Sequence, residues 1–378
     1  VTGGAGFIGS HLVDALIARG HEVRVLDRLE AQVHGAKVAS TPGFRPAYLH
    51  PDAQLIAGDV ADREKLEAAL DGVQVVYHQA AAVGVGQSQY EIEKYVQRNT
   101  GATATLLDVL ANNRDRFPLE RLVVASSMSI YGEGRYTLPG GTPIAPRLRP
   151  DEQLARHDWE MRGPNGEAAD PVPTDEDKPL ICTSVYALSK KDQEEYCLVV
   201  GNAYGIPTVA LRYFNCYGTR QALSNPYTGV CAIFGARLLN NNRPLVFEDG
   251  KQSRDFVHVS DVVRANLLAG LDAPAGDVAG EVFNVGTGRA TSLLEVARVL
   301  ADGLGVSHVL PEITCRFRSG DIRHCFADIT KIKSRLGYEP QMRFEDGMRE
   351  LMDWMRTQSA EDRVDAAAAE LRQKGLAR

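Results

Sequence analysis

A chain of 378 residues is long enough for one large domain or two closely joined ones, and 44% hydrophobic with 24% charged residues is ordinary for a globular protein. A net charge of -7 without a clustered excess of Lys and Arg argues against a nucleic-acid surface. No apolar run reaches the roughly 18 residues of a membrane span, and the six cysteines form no C-x-x-C pair and follow no secretory leader, so reduced thiols in a soluble, cytoplasmic protein are expected.

The chain opens VTGGAGFIGSHLVDALIARGHEVRVLD. Gly4, Gly6 and Gly9 satisfy G-x-G-x-x-G, and Gly3, Gly6 and Gly9 give the related G-x-x-G-x-x-G. Glycines so spaced let a backbone turn tightly against a pyrophosphate, which then rests on the N-terminus of the helix predicted from Phe7. The following strand ends in Asp27, a carboxylate placed to accept hydrogen bonds from an adenosine ribose and to repel a 2′-phosphate, which favours NAD over NADP; the neighbouring Arg28 weakens that preference. A turn of this kind should follow a complete buried strand, yet only Val1 and Thr2 precede it. The natural chain is therefore expected to start earlier.

Downstream, AQLIAGDV, VQVVYHQAA, RLVVASS and IPTVALRYFN read as apolar strands, and DREKLEAALDG, GATATLLDVLANN and the stretch around Tyr186 read as the helices between them. This alternation predicts an α/β fold with a Rossmann-type doubly wound parallel sheet, whose chemistry gathers at the carboxyl ends of the strands. Asp59, Ala80, Ser127 and Asn215 all fall there. The sheet is expected over 1–214, with an insertion at about 136–182. After residue 215 the pattern loosens into PYTGVCAIFGARLLNN, SDVVRANLLAGL, LLEVARVLADGLG and FEDGMRELMDWMRTQ, all helical, around the strand and turn RPLVFEDG. Residues 215–356 are read as a smaller, interleaved substrate-binding lobe, and the Ala-rich, charged 357–378 as a solvated helical tail.

In TSVYALSKKDQEEY, Tyr186 and Lys190 stand one helical turn apart on one face. An ammonium beside a phenol favours the phenolate, a base near neutral pH. A surface helix with an unremarkable Tyr and Lys is the alternative.

These pieces resemble the extended short-chain dehydrogenase/reductase family, specifically its nucleotide-sugar epimerases and dehydratases. The resemblance covers nearly the whole chain through TGGAGFIGS, GDV, ASSMSIYG, YALSK, RYFNCYG, DGKQSRDFVHVSDV, FNVGTG and RSGDIRHCFADITK, in family order. It implies Ser127, Tyr186 and Lys190 as the catalytic set: Tyr186 exchanges a proton with a sugar hydroxyl, Lys190 lowers its pKa and holds the nicotinamide ribose, and Ser127 hydrogen-bonds the reacting oxygen. It implies Gly3, Gly6, Phe7, Ile8, Asp27, Asp59, Val60, Ala80 and Asn99, with Tyr186 and Lys190, as NAD contacts. For the nucleotide-diphosphate sugar it implies Ser127, Asn215, Arg254 and Arg318, the arginines on the diphosphate, and Val246 and Phe247 beside the base. Ion pairs of Arg254 with Asp255 and of Arg318 with Asp321 are the competing assignment.

In the family's 4,6-dehydratases the serine is followed by Asp and Glu, which expel water; here those places hold Met128 and Ser129. The resemblance therefore implies 4-epimerisation through a transient 4-keto sugar, with hydride returned to the opposite face. The stretch between Ser127 and Tyr186 is longer than in most of the family's epimerases and is similar to that of dTDP-L-rhamnose 4-epimerases. In those relatives it often carries paired cysteines; none lies between Met128 and Ile181, so no metal is expected. UDP-glucose or UDP-glucuronate 4-epimerisation and 4-ketosugar reduction are the alternatives. A homodimer through the Tyr186 helix is expected by resemblance, and the insertion is read as a lid, a subunit contact or a disordered acidic loop. His78 is read as a packing residue, and Gln87 and Ser88 as sugar contacts or helix caps.

Overall fold

The computed structural model describes residues 1–35, 41–318 and 320–377. Its central sheet runs, edge to edge, Gln54–Ala57, Arg24–Asp27, Thr2, Val75–His78, Arg121–Ser127, Thr208–Tyr213 and Glu281–Val285, and every pairing is parallel. Residues 1–3 join the two halves: Thr2 N–H donates to the Tyr77 carbonyl at 3.0 Å and its carbonyl accepts from Gln79 at 3.1 Å, while on the other side Leu26 N–H donates to the Val1 carbonyl at 3.1 Å and the Leu26 carbonyl accepts from Gly3 at 2.8 Å. Strand order reverses at that point, which makes the groove beside Thr2 the topological switch where such sheets bind ligands.

The sheet is buried on both faces because its strands carry apolar side chains without alternation to polar ones. Val123, Ala125, Val209 and Leu211 pack into one core with Leu12 and Val262 from helices on that side. Leu122, Val124 and Ala210 point the other way, into a core with Leu66, Leu106 and Cys197. The doubly wound Rossmann-like sheet is thus two-sided, as the apolar strand patterns require. A third core, built from Cys231, Phe234, Val246, Phe256, Leu300, Met348 and Leu351, organises the smaller lobe. Its strands are short: Asn215–Tyr217 pairs with Phe256–His258, and Ser253–Arg254 lies between Thr291–Ser292 and His324–Cys325.

Two segments differ from their sequence reading. The insertion is ordered: Arg135–Thr137 pairs antiparallel with both Pro143–Ile144 and Asp170–Val172, over a small core of Tyr136, Met161 and Ala169. The tail helix Val364–Gln373 is docked rather than solvated, with Ala367 and Leu371 buried, and buried Arg237 of the lobe binds Asp365 at 3.0 Å. Composition left the insertion open among a lid, a subunit contact and a disordered acidic loop, and gave the Ala-rich, charged tail as solvated, because their apolar anchors are few and their partners distant in sequence. Among the described residues no helix is long and apolar enough to cross a membrane.

Candidate active site

The glycine turn owes its shape to contacts that a side chain would break. Gly3 adopts φ +68°, and a Cβ there would lie 2.8 Å from the backbone of Ala80; a Cβ on Gly9 would lie 2.2 Å from the Gly3 carbonyl. The helix Phe7–Ala18 starts at Gly6 with no side-chain cap, which leaves its positive end for an anion. Asp27 is buried at the end of its strand, where its carboxylate accepts from Ala5 N–H at 2.9 Å and Leu29 N–H at 2.8 Å. Each oxygen keeps a lone pair for a further donor. Arg28, which could have favoured a 2′-phosphate, pairs with Asp59 at 2.8 Å and Glu30 at 3.2 Å. Val60 is buried in the core, and Asn99 holds the loop after Ala80 by exchanging hydrogen bonds with Ala82. This cradle fits an NAD pyrophosphate and ribose: close backbone approach, an uncapped helix start and a fixed acid together.

Ser127 ends the Arg121–Ser127 strand and its Oγ accepts from Ser129 N–H at 3.2 Å and the Ser129 hydroxyl at 2.9 Å. Tyr186 sits in the first turn of the helix Val185–Tyr204, which starts at Ser184, whose hydroxyl caps Ala187 N–H, and stops at left-handed Gly205. The Tyr186 N–H donates to the Ser88 hydroxyl at 2.9 Å, and Tyr95 meets the Tyr186 ring edge-on with centroids 6.3 Å apart. Of the two readings for Ser88, the bond matches a cap, here on the start of the Val185–Tyr204 helix. Burial raises the Tyr186 pKa above its usual value, and a hydrogen bond with Ser127 partly offsets this.

Lys190 is buried behind Tyr186. It shares the helix face with Tyr186, but its Nζ donates to the Ala125 carbonyl and, at 2.7 Å, to the Gln193 side chain. Burial lowers its own pKa to about 8. His78, buried between Thr2 and Thr103 and lowered to about 3 by burial, is a packing residue. Sequence reading missed the support behind this site: Glu194 binds buried Arg212 at 2.6 Å and accepts from Ser126 at 2.6 Å, while Arg212 also reaches the Tyr131 hydroxyl at 2.8 Å. The Lys190-to-Glu194 helical spacing was its one sequence signal.

On the lobe side the predicted contacts divide. Asn215 keeps a buried amide oxygen without a partner. Arg254 does not pair with Asp255, which is saturated by the N–H groups of Thr287, Gly288 and Ala327; its guanidinium instead donates to the carbonyls of Ser253, Ile322 and Arg323. Arg318 does pair with Asp321, at 2.8 Å, while lying 4.5 Å over the Phe247 ring. Val246 is the clear correction, because its side chain is wholly inside the lobe core and cannot line a base. A larger cavity of about 330 Å³, bordered by Phe256, Thr287, Arg289 and Phe344, holds none of the sequence-predicted residues.

Fold and cradle define the class: an NAD-dependent enzyme on a Rossmann-type sheet. The family model for the NAD dependent epimerase/dehydratase family matches residues 1–153, and the model for GDP-mannose 4,6 dehydratase matches residues 165–351. The chain is 35% identical to a dTDP-L-rhamnose 4-epimerase of Burkholderia thailandensis over 94% of both chains. It is 32% identical to a putative UDP-glucose 4-epimerase of Methanocaldococcus jannaschii, over 94% of this chain and 97% of the relative. A solved UDP-N-acetylglucosamine 4-epimerase of Methanobrevibacter ruminantium superposes with a TM-score of 0.74 at 30% identity, covering 95% of this chain and 97% of that one. The UDP-glucose 4-epimerase of Thermus thermophilus, solved with NAD, gives 0.70 at 29% identity, covering 95% and 98%. The chain belongs to the NAD-dependent epimerase/dehydratase family, within the extended short-chain dehydrogenases/reductases.

Proposed function

We propose that the protein is a nucleotide-sugar 4-epimerase acting on dTDP-L-rhamnose or a closely related dTDP- or UDP-sugar. The observation that carries the reaction is that Tyr186, in the first turn of its helix, stands beside Ser127 at the strand end, with Met128 and Ser129 where a dehydratase needs an acid and a base. Met128 is buried in the sheet core and the Ser129 hydroxyl is turned onto Ser127, so neither brings a carboxyl group to the sugar.

NAD, held by the Gly3–Gly9 turn, Asp27 and the strand-end loops, supplies hydride acceptance and return when bound. The chain's own residues handle the proton. Tyr186 takes it from the C4 hydroxyl and gives it back, Ser127 holds that oxygen by hydrogen bonding, and Lys190 is the cation whose charge assists the phenolate. Asn215, Arg254 and Arg318 hold the diphosphate, and Phe247 lies beside the base. The 6-deoxyhexose preference is supported by the relative from Burkholderia thailandensis, similar over almost the full length of both chains.

The test is proton NMR of the purified protein with dTDP-L-rhamnose and no added cofactor. A second sugar, epimeric at C4, is expected; turnover of UDP-glucose or UDP-glucuronate instead would move the substrate, and a demand for stoichiometric NADH would replace the epimerase by a reductase.

The same reading includes a homodimer. Ile92 and Val96 on one helix and Leu188 and Val199 on the adjacent one expose apolar side chains, from 46% to 67% accessible, along one surface. Sedimentation velocity is expected to report twice the 41.2 kDa chain mass, and a monomer at micromolar concentration would remove this part.

A further inference from the structure

We propose that the C-terminal segment 360–377 is a gate over the substrate cleft, held shut by a hydrogen-bonded latch of Tyr90, Tyr227 and Glu370, and that nucleotide binding must open it. This rests on the nucleotide-sugar reading of the cleft.

The segment crosses from the lobe to the cofactor half. At the lobe end it is firmly attached: the Arg237 guanidinium, 6% exposed, lies 3.4 Å from Asp362 and 3.0 Å from Asp365, and Asn242 donates to Asp362 at 2.7 Å. Across the cleft the hold is lighter. The Tyr90 hydroxyl is 2.6 Å from that of Tyr227 and donates to Glu370 at 3.1 Å, with Tyr227 3.4 Å from the same carboxylate oxygen. The Lys374 ammonium lies 4.9 Å over the Tyr90 ring. These bonds join three segments far apart in sequence, and those to Glu370 are exposed, where such contacts are weak. The helix is therefore pinned on one side and latched on the other.

What it covers is the proposed chemistry. Leu371 rests on Gly86, in the short turn whose Ser88 holds the Tyr186 N–H. Ala377 pairs antiparallel with Arg318, the proposed diphosphate ligand, and so adds a backbone contact to an arginine already paired with Asp321. Between Gly86, Gln89, Arg318, Asp321 and Leu371 the structure leaves about 40 Å³. Small-molecule sites take about 300–1,000 Å³. The Arg318 side chain is 40% exposed, but Leu371 and the 377 backbone fill the space beside it that a nucleotide sugar would need, so the latched form is the weaker-binding member of a two-state pair. Every ligand then pays for opening, and its apparent affinity falls by the fraction of chains that stand open.

The experiment compares dTDP and UDP binding, by titration calorimetry, to the wild-type chain, Glu370→Ala and Glu370→Gln. Glu370→Ala removes the shared acceptor and is expected to bind the nucleotide about three- to tenfold more tightly, with KM for the sugar nucleotide falling in parallel. Glu370→Gln keeps an acceptor oxygen and is expected to stay nearer wild type. In the wild-type chain, saturating dTDP or UDP is expected to speed tryptic cleavage after Arg372 and Lys374. Equal or weaker binding by Glu370→Ala, protection of the tail by nucleotide, or no binding of either nucleotide by any of the three proteins would overturn the gate. Tight nucleotide binding without epimerisation of dTDP-L-rhamnose or a UDP-sugar would instead overturn the epimerase reading and leave the gate standing on its affinity ratio.

Discussion

Replacing Tyr186 by Phe is expected to cut kcat by about 10²- to 10⁴-fold, the usual worth of a positioned acid–base group, with little change in melting temperature. The ring keeps its edge-on contact with Tyr95, and the helix keeps its Ser88 and Ser184 caps. Ser127 loses one partner but retains both bonds from Ser129. The phenol starts from an unfavourable place, since burial holds its pKa above the ordinary value. The group that can oppose this is Lys190, itself lowered to about 8 by burial. A lysine with a depressed pKa is cationic below that value and neutral above it, so kcat/KM of the wild-type chain should fall as pH rises through about 8. Epimerisation read by NMR across pH 6–10, on wild type and Tyr186→Phe, checks both statements; near-wild-type turnover by the variant would remove Tyr186 from the chemistry.

Local patterns carried the parts of this site that sequence could disclose. Gly9 could be read because the approach that demands it, to the Gly3 carbonyl, lies within the same turn, and Tyr186 with Lys190 because an α-helix sets i and i+4 on one face. The partners of the Lys190 head group were not legible, for the opposite reason. Those partners, the Ala125 carbonyl and the Gln193 amide, depend on how the helix seats against the Arg121–Ser127 strand, which spacing does not encode. Val246 failed similarly: a two-residue strand beside Glu312–Ile313 turns its side chain into the lobe core, leaving Phe247 the partly accessible neighbour. The acidic insertion and the Ala-rich, charged tail are held by ion pairs whose two ends lie many residues apart.

The strongest of those attachments predicts the largest stability effect. Arg323→Met is expected to cost about 3–5 kcal/mol of unfolding free energy, the range found when one partner of a buried ion pair is removed. Arg323 is fully buried where the insertion meets the lobe, binding Glu248 at 2.9 Å, Asp249 at 2.7 Å and Glu160 at 2.6 Å. Glu160 is 49% exposed and Asp249 27%, so solvent screens both and their loss counts for little. Glu248 is different: its carboxylate is 2% exposed, and without Arg323 it keeps only Arg149, at 2.9 Å, which also faces buried Glu133 at 3.7 Å. Two carboxylates would then share one guanidinium in a dry interior, a charge imbalance that methionine's volume does not repair. Urea unfolding measures the loss, and a cost below about 1 kcal/mol would refute the argument. Amide exchange should rise first in 149–161, the part of the insertion this arginine pins through Glu160 and, by way of Glu248, Arg149. The double variant Arg323→Met with Glu248→Gln distinguishes the causes: partial recovery would locate the cost in an orphaned carboxylate, while simple additivity would assign it to lost packing around a residue that touches both lobe and insertion.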